Sequence, residues 1–218
     1  LHNLNLRKLS IMDQDERKGL FSFIPKSARL YFLLAIFFIA LPTLSKIYPG
    51  AAGKFLVASA NLDGTFFEDT IIYVGKHEIF GAYGFVINKQ ASSDDFKIAK
   101  EYFPAIDKLF IGGPVFSAKE ERQKITAVLT TSPEHIHNFS ITPITQLKDQ
   151  NPVLFSKLRS SNNTSSAPII AFYGYSGWSP WQLNIELLLG NWHVEEFDAT
   201  VFFGDEQAQK DFINKVKK

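Results

Sequence analysis

Ser176 stands in Gly174-Tyr175-Ser176-Gly177-Trp178, which invites comparison with a serine nucleophile on a sharp strand-to-helix turn. That motif requires G-x-S-x-G, and here the second glycine comes one position early. No HGGG-type loop is present to supply an oxyanion hole, so the serine reads as a turn hydroxyl bonded to local backbone. His77 is a candidate base or ligand-binding group, with Glu68 or Glu78 available to orient it, although a histidine that locks its own turn would look identical. His135 and His137 are two residues apart and, with Glu134, could offer metal ligands. No third ligand follows at a zinc-like spacing, so they read as exposed loop histidines, and neither a metal nor another cofactor is implied. Gly112-Gly113-Pro114 could present backbone N–H groups to an anion but lacks the lysine and the G-x-x-x-x-G-K-[ST] spacing of a phosphate loop. Tyr175, Trp178 and Trp181 suit the lining of an apolar recess for a peptide or small ligand, with aromatic core packing as the alternative.

These groups need elements to hold them. Pro168 to Tyr173 is a short apolar run that suits a buried strand, and the glycines at 174 and 177 allow a sharp exit from it. Ser179 then fits a helix N-cap, Pro180 the first helical position, and Gln182 the position from which a side chain bonds back to the Ser179 N–H. Gly190 closes that helix. The aromatic turn therefore sits where a helix N-terminus exposes N–H donors.

Strands are expected at Phe55–Ala58, Thr70–Val74, Leu109–Ile111, Ile125–Leu129, Asn138–Ile141, Ile169–Tyr173 and His193–Phe197. His77 to Gly81 reads as the loop of a hairpin returning over Tyr83 to Asn88, with Gly84 marking a bulge or a close backbone approach. Ser93 is placed to cap a helix whose Phe96, Ala99 and Phe103 share a face, and Pro104 stops it. A helix over Pro152–Leu158 precedes the polar run Ser160–Ser166, a loop too short to separate a pair of domains. Ala208, Phe212, Ile213 and Val216 repeat at helical spacing, which predicts an amphipathic helix docked on the core. Strands outnumber helices, giving an α+β domain.

Composition narrows the partners. The 23 basic residues nearly cancel the 22 acidic ones, so no overall field draws the chain to nucleic acid. The absence of cysteine excludes disulfides, thiolate catalysis and Cys-based metal sites.

The amino-terminal region differs in kind. Leu30–Leu41 is uncharged and almost wholly apolar, and the charge-free stretch continues to Ser45. Its sixteen residues give roughly 24 Å at about 1.5 Å each, against a hydrocarbon core of ~30 Å, with Arg29 and Lys46 placed to snorkel. Arg17, Lys18, Lys26 and Arg29 precede it, as in an anchor with a cytoplasmic amino terminus or the n-region of a secretory signal. Thr43-Leu44-Ser45 and Gly50-Ala51-Ala52 offer small residues for cleavage. Anchor and cleaved signal are the two main readings and a buried soluble helix is the third; either main reading places the globular part outside the cytoplasm. The sole methionine, Met12, is the expected native start, with residues 1–11 an upstream extension. The reading is thus a leader over 1–29, a hydrophobic segment over 30–45, and one globular domain over 53–218.

Four segments, in order, carry a family resemblance. Phe66-Phe67-Glu68-Asp69-Thr70-Ile71-Ile72-Tyr73, His77 with Gly81-Ala82-Tyr83-Gly84-Phe85-Val86-Ile87-Asn88, Ile111-Gly112-Gly113-Pro114-Val115, and Gly174 to Leu187 resemble the signatures of the YqgE/AlgH family of bacterial proteins. The resemblance covers roughly Gly53 to Phe203. It implies a largely antiparallel, barrel-like sheet flanked by helices, a usual cytoplasmic location, and no settled activity. Candidate ligand-binding positions carried by these motifs are Glu68, Thr70, His77, Asn88, Gly112, Gly113, Tyr175, Trp178 and Gln182. Gly75-Lys76 stands where many relatives have Cys-Glu, so no thiol chemistry operates here. Trp181 replaces a common glycine and Asn184 a common glutamate.

The leading expectation is a non-enzymatic binding or regulatory module at or beyond the membrane, held through Leu30–Ser45 and taking a small ligand or protein. Tyr175, Trp178, Gln182, His77 and Glu68 are expected to converge on one recess. A hydrolase or transferase using His77 with a carboxylate is the alternative, and a nucleic-acid-binding transcriptional regulator is the third, against which near-neutral charge argues.

Overall fold

β1 (Phe55–Ala58) and β7 (Ile170–Tyr173) are unbroken apolar runs, buried along their whole length. A strand without polar alternation is one covered on both faces, and the layers of the fold supply that cover. A computed structural model describes residues 50–116, 125–132, 135–160 and 168–218. The chain divides into units of 1–49 and 50–218, and the described residues belong to the second. The leader, the Leu30–Ser45 segment with its expected hydrophobic helix, Glu134, the side chains of His135 and His137, and residues 161–167 lie outside what is described. Among the described residues no helix is long and apolar enough to cross a membrane.

The strands form two sheets. β2 (Ile71–Glu78), β3 (Gly81–Val86), β8 (Ser176–Trp178) and β9 (Trp192–Glu195) join β1 in the order β8-β3-β2-β1-β9, every pair antiparallel. β4 (Lys108–Ile111), β5 (Ile125–Ser132) and β6 (His135–Pro143) join β7 in the order β4-β7-β5-β6, in which β4 and β7 run parallel. Helices α1 (Ser93–Tyr102), α2 (Ile144–Gln150), α3 (Pro152–Leu158), α4 (Gln182–Leu188), α5 (Ala199–Phe202) and α6 (Glu206–Val216) complete the described chain.

Three cores follow from this layering. Phe55, Ile71 and Phe85 of the first sheet meet Phe110, Leu129 and Phe172 of the second, with Phe202 and Ile213 of the carboxy-terminal helices closing the space. The outer face of the second sheet, with Val128, Ala171 and Tyr173, is covered by Ala99 of α1, Leu147 of α2 and Leu158 of α3. The outer face of the first, with Leu56, Ile72 and Val86, is covered by Ala51, Trp178, Trp192 and Leu183 of α4.

The expected barrel does not close. The ladder passes between sheets at one seam, through the Gln90–Phe110 and Val115–Tyr175 bridges. At the other, among the described residues, β9 pairs only with β1 and β6 only with β5. Within the first sheet the edge strands β8 and β9 approach through side chains alone, with the Trp178 and Trp192 rings 6.1 Å apart. Two stacked sheets with large rings between them are the result.

Local differences have local causes. The expected hairpin is present, but His77 lies in β2 opposite Ala82, and the loop shortens to Ile79-Phe80. The register shifts between Val74 and Lys76, which makes Gly75 the bulge. Gly84 is instead the close approach, since a Cβ there would sit 2.6 Å from the Tyr73 carbonyl oxygen. Ser92 rather than Ser93 caps α1. Ser176-Gly177-Trp178, expected as a turn, is the strand β8, and α4 begins at Gln182 because Trp181 takes a left-handed φ of 67° that breaks the helical path.

Candidate functional site

Glu186 organises the aromatic turn. Its Oε2 accepts hydrogen bonds from the indole Nε1 of Trp178 (2.9 Å) and of Trp192 (2.8 Å), and its Oε1 accepts from Gln182 Nε2 at 3.0 Å. Gln182 Oε1 in turn accepts the Ser179 N–H at 3.1 Å, the bond expected from the sequence although the helix starts later. Gln182 and Glu186 are four residues apart and so share a side of α4. The network ties both edges of the first sheet to one helix.

His77 faces the same helix because of the Gly75 bulge. A strand alternates faces, and one extra residue reverses that alternation. His77 therefore joins Ala82 on the α4 side, while Lys76, Glu78 and Tyr83 point the other way. The Ala51 N–H donates to His77 Nδ1 at 3.1 Å, so Nδ1 is unprotonated and Nε2 carries the proton. That Nε2–H donates to Asn184 Oδ1 at 3.1 Å. Both ring nitrogens are engaged, and neither partner is a carboxylate.

Two glycine turns interlock between the sheets. The chain leaves β4 through Gly112-Gly113 and β7 through Gly174, and a Cβ on Gly113 would lie 2.3 Å from the Tyr175 carbonyl carbon and 2.4 Å from the Ser176 nitrogen. Val115 and Tyr175 exchange backbone hydrogen bonds at 3.0 and 2.9 Å. Ser176, fully buried, donates its hydroxyl to the Gly112 carbonyl at 3.2 Å, which also accepts the Val86 N–H. The serine bonds across the fold rather than within its turn, and its hydroxyl faces no solvent.

Glu68, Thr70 and Asn88 lie at the far end of the β2–β3 hairpin, some 23 Å from the tip by strand rise. Asn88 Oδ1 accepts the Ile71 N–H at 2.9 Å and its Nδ2 donates to the Asp69 carbonyl at 2.7 Å. Thr70, fully buried, donates to the Phe67 carbonyl, and Glu68 accepts the Gly64 N–H. Glu68 and Asn88 line a cavity of about 350 Å³ against Gln209 and Ile213 of α6. Lys217 closes this joint by donating to Asp69 at 2.7 Å, and that bond raises its pKa.

At the hairpin tip lies an open recess of about 510 Å³, lined by Lys76, Glu78, Phe80, Tyr83, Tyr175 and Trp178 among others. Lys76 and Glu78 pair at 3.0 Å along one rim. Tyr73, packed against Phe55 and Phe202, has a pKa pushed upward, first by burial and then by Tyr83. Phe80 is 85% exposed and Ile79 55%.

The expected single recess is therefore divided. Tyr175 and Trp178 reach the tip, His77 and Gln182, the first residue of α4, stand behind it, and Glu68, Thr70 and Asn88 serve the opposite end; Gly112 and Gly113 belong to the crossing. Four residues that sequence reasoning did not place at a site matter here: Glu186, Asn184, Trp192 and Phe80. The spacing of Gln182 and Glu186 carried a signal for the first, whereas the pairing of Trp178 with Trp192 joins opposite sheet edges and leaves no mark on local sequence.

Two sheets stacked over aromatic rings, locked by a glycine crossing, define an α+β domain of one fold family. The chain belongs to the AlgH-like family (DUF179), which it matches over residues 55–216. A UPF0301 protein of Chlorobium phaeobacteroides is 31% identical over 164 residues, 71% of this chain and 79% of that protein. One of Shewanella frigidimarina is 28% identical over 165 residues, 71% and 84%. The solution structure of AlgH from Pseudomonas aeruginosa shares the fold with a TM-score of 0.53 at 20% identity, covering 77% of this chain and 89% of that one.

Proposed function

We propose that residues 50–218 are a non-enzymatic binding module that takes an apolar group of a partner protein at the β2–β3 tip, and that Leu30–Ser45 holds the module at a membrane or directs it across one. The contrast between reactive groups and exposed rings carries the first half. Ser176, His77 and Glu186 are each committed to bonds that hold the fold, while Phe80 stands 85% exposed beside an open recess. Burying one such ring on a partner gains roughly 1.5–3 kcal/mol. Sites for small molecules enclose most of the ligand, so an open recess flanked by protruding apolar residues fits a protein side chain or short peptide better. The second half is supported by the charge-free run and the basic residues before it.

Each half has its own test. A displayed random-peptide library selected on the full chain should yield peptides rich in aromatic and aliphatic residues, and Phe80→Ser should abolish their retention; retention unaffected by Phe80→Ser and Tyr175→Ala contradicts binding at the tip. Expression of the full chain in bacteria should give a chain that resists alkaline extraction from membranes or a shortened one beyond the cytoplasm. A full-length soluble cytoplasmic chain would remove the membrane half and leave the binding half standing.

A further inference from the structure

Gln209 stands on the docked side of α6, four residues before Ile213, at a position where the helical pattern calls for an apolar side chain. It is 6% exposed. Its Nε2 donates to the carbonyls of Ile87 (3.4 Å) and Val201 (3.2 Å), and because only an –NH2 group can meet two carbonyls, these bonds fix which end of the amide is oxygen. That oxygen, Oε1, accepts no hydrogen bond. Among the described residues no side-chain nitrogen or oxygen sealed from solvent lacks a partner. Oε1 is therefore not sealed, and it opens onto the hollows that Gln209 lines. Holding two carbonyls explains the nitrogen and leaves the oxygen over, a nearly buried acceptor without a donor.

Gln209, Asn88 and Glu206 are common to the cavity beside Glu68 and to a second hollow of about 360 Å³, whose wall adds Gln90, Lys108, Phe110 and Asp205. Volumes of ~300–1,000 Å³ are those of small-molecule sites. Glu206 and Gln209, three residues apart, share a side of α6. Glu206 Oε1 takes Lys210 at 2.6 Å and Asp205 Oδ1 takes the Ala208 N–H at 2.9 Å, and each carboxylate keeps a second oxygen. Lys108 forms no ion pair among the described residues. The second hollow thus offers acceptors on its α6 side and one unpaired ammonium. We propose that it takes a small α-amino acid, whose ammonium donates to Gln209 Oε1 and Glu206 and whose carboxylate accepts from Lys108. Charge-assisted bonds of this kind are the strong ones. An anion alone would face the carboxylates of Asp205 and Glu206, and a diamine would set a second ammonium against Lys108. An apolar group would leave Oε1 unmatched. A metal ion has no ligand set there, since among the described residues no three His, Asp or Glu side chains gather. The hollow lies at the end of the β2–β3 hairpin remote from Phe80, so the proposal is independent of binding at the tip.

Equilibrium dialysis of the full chain against a mixture of the standard L-amino acids, with putrescine and acetate as separate probes, tests it. At least one amino acid should be retained, and neither putrescine nor acetate. Lys108→Gln and Glu206→Gln change exposed side chains and should each weaken retention by roughly tenfold or more. Gln209→Met, which keeps the length and loses the acceptor, should abolish it; should that variant not fold, the two exposed ones carry the test. Folded parent chain that retains no amino acid overturns the proposal, as does retention equal in the parent, Lys108→Gln and Glu206→Gln. Putrescine retained in place of amino acids identifies a site for a bare ammonium, acetate one for an anion, and either result overturns it. Retention lost in Phe80→Ser would place the amino acid at the hairpin tip and overturn it as well.

Discussion

Trp178 donates its indole N–H to Glu186 at 2.9 Å, and through that carboxylate a residue on one edge of a five-stranded sheet is tied to Trp192 on the other edge. Glu186→Ala leaves two mostly buried donors unpaired, at roughly 1–3 kcal/mol each. It should lower stability by about 2–6 kcal/mol, read as a shifted denaturant midpoint, while Glu186→Gln should recover more than half of the loss through its remaining acceptor. A Glu186→Ala midpoint equal to the parent would refute this role.

His77 spends both ring nitrogens on hydrogen bonds, to the Ala51 N–H and to Asn184 of α4. Nitrogen chemical shifts near neutral pH should show Nε2 protonated and Nδ1 as an acceptor. His77→Ala should cost about 1–2 kcal/mol through two lost hydrogen bonds and should speed amide exchange at Ala51. A protonated Nδ1 with a free Nε2 would contradict the geometry.

Gly113 has no room for a side chain. Its Cβ would strike backbone atoms, which cannot rotate away. Gly113→Ala should cost more than ~4 kcal/mol, in the range reserved for gross steric conflict, and soluble, cooperatively unfolding Gly113→Ala would show that the two turns are not interlocked.

Asp198 caps α5 by accepting from the Thr200 hydroxyl (2.6 Å) and N–H (2.8 Å), and these bonds, the hydroxyl's first, hold its pKa below the usual carboxylate value. A depressed folded pKa gives stability that is present above the unfolded pKa and lost as pH falls through the folded one. Asp198→Ala should cost about 1 kcal/mol near neutrality. The gap between parent and variant should narrow below about pH 4, and a gap that stays constant in acid denaturation series would contradict the capping role.

Much of the fold was legible because it is local. β1 emerges with its expected limits, the helix expected over Pro152–Leu158 is α3, and the helical spacing of Phe212, Ile213 and Val216 gives the docked face of α6. Ser176–Trp178 did not read as a strand, since three residues with a glycine acquire that identity only by pairing with β3. The open seam was equally hidden, because whether β9 and β6 pair is a property of how two sheets stack and leaves no mark on either strand's own residues. For the site, the aromatic turn was visible and its partners were not. The bulge at Gly75 turns His77 away from the recess that Tyr175 borders, and a register shift is a property of two strands rather than of either sequence.

Binding at the hairpin tip is decided by a photo-crosslinking benzoylphenylalanine placed at Phe80 in cells making the full chain. Position 80 should give one discrete adduct that Tyr175→Ala removes and that the same probe at Val153 does not form. Equal adducts from both positions, or none from position 80 in folded protein, would show that no partner meets the domain there.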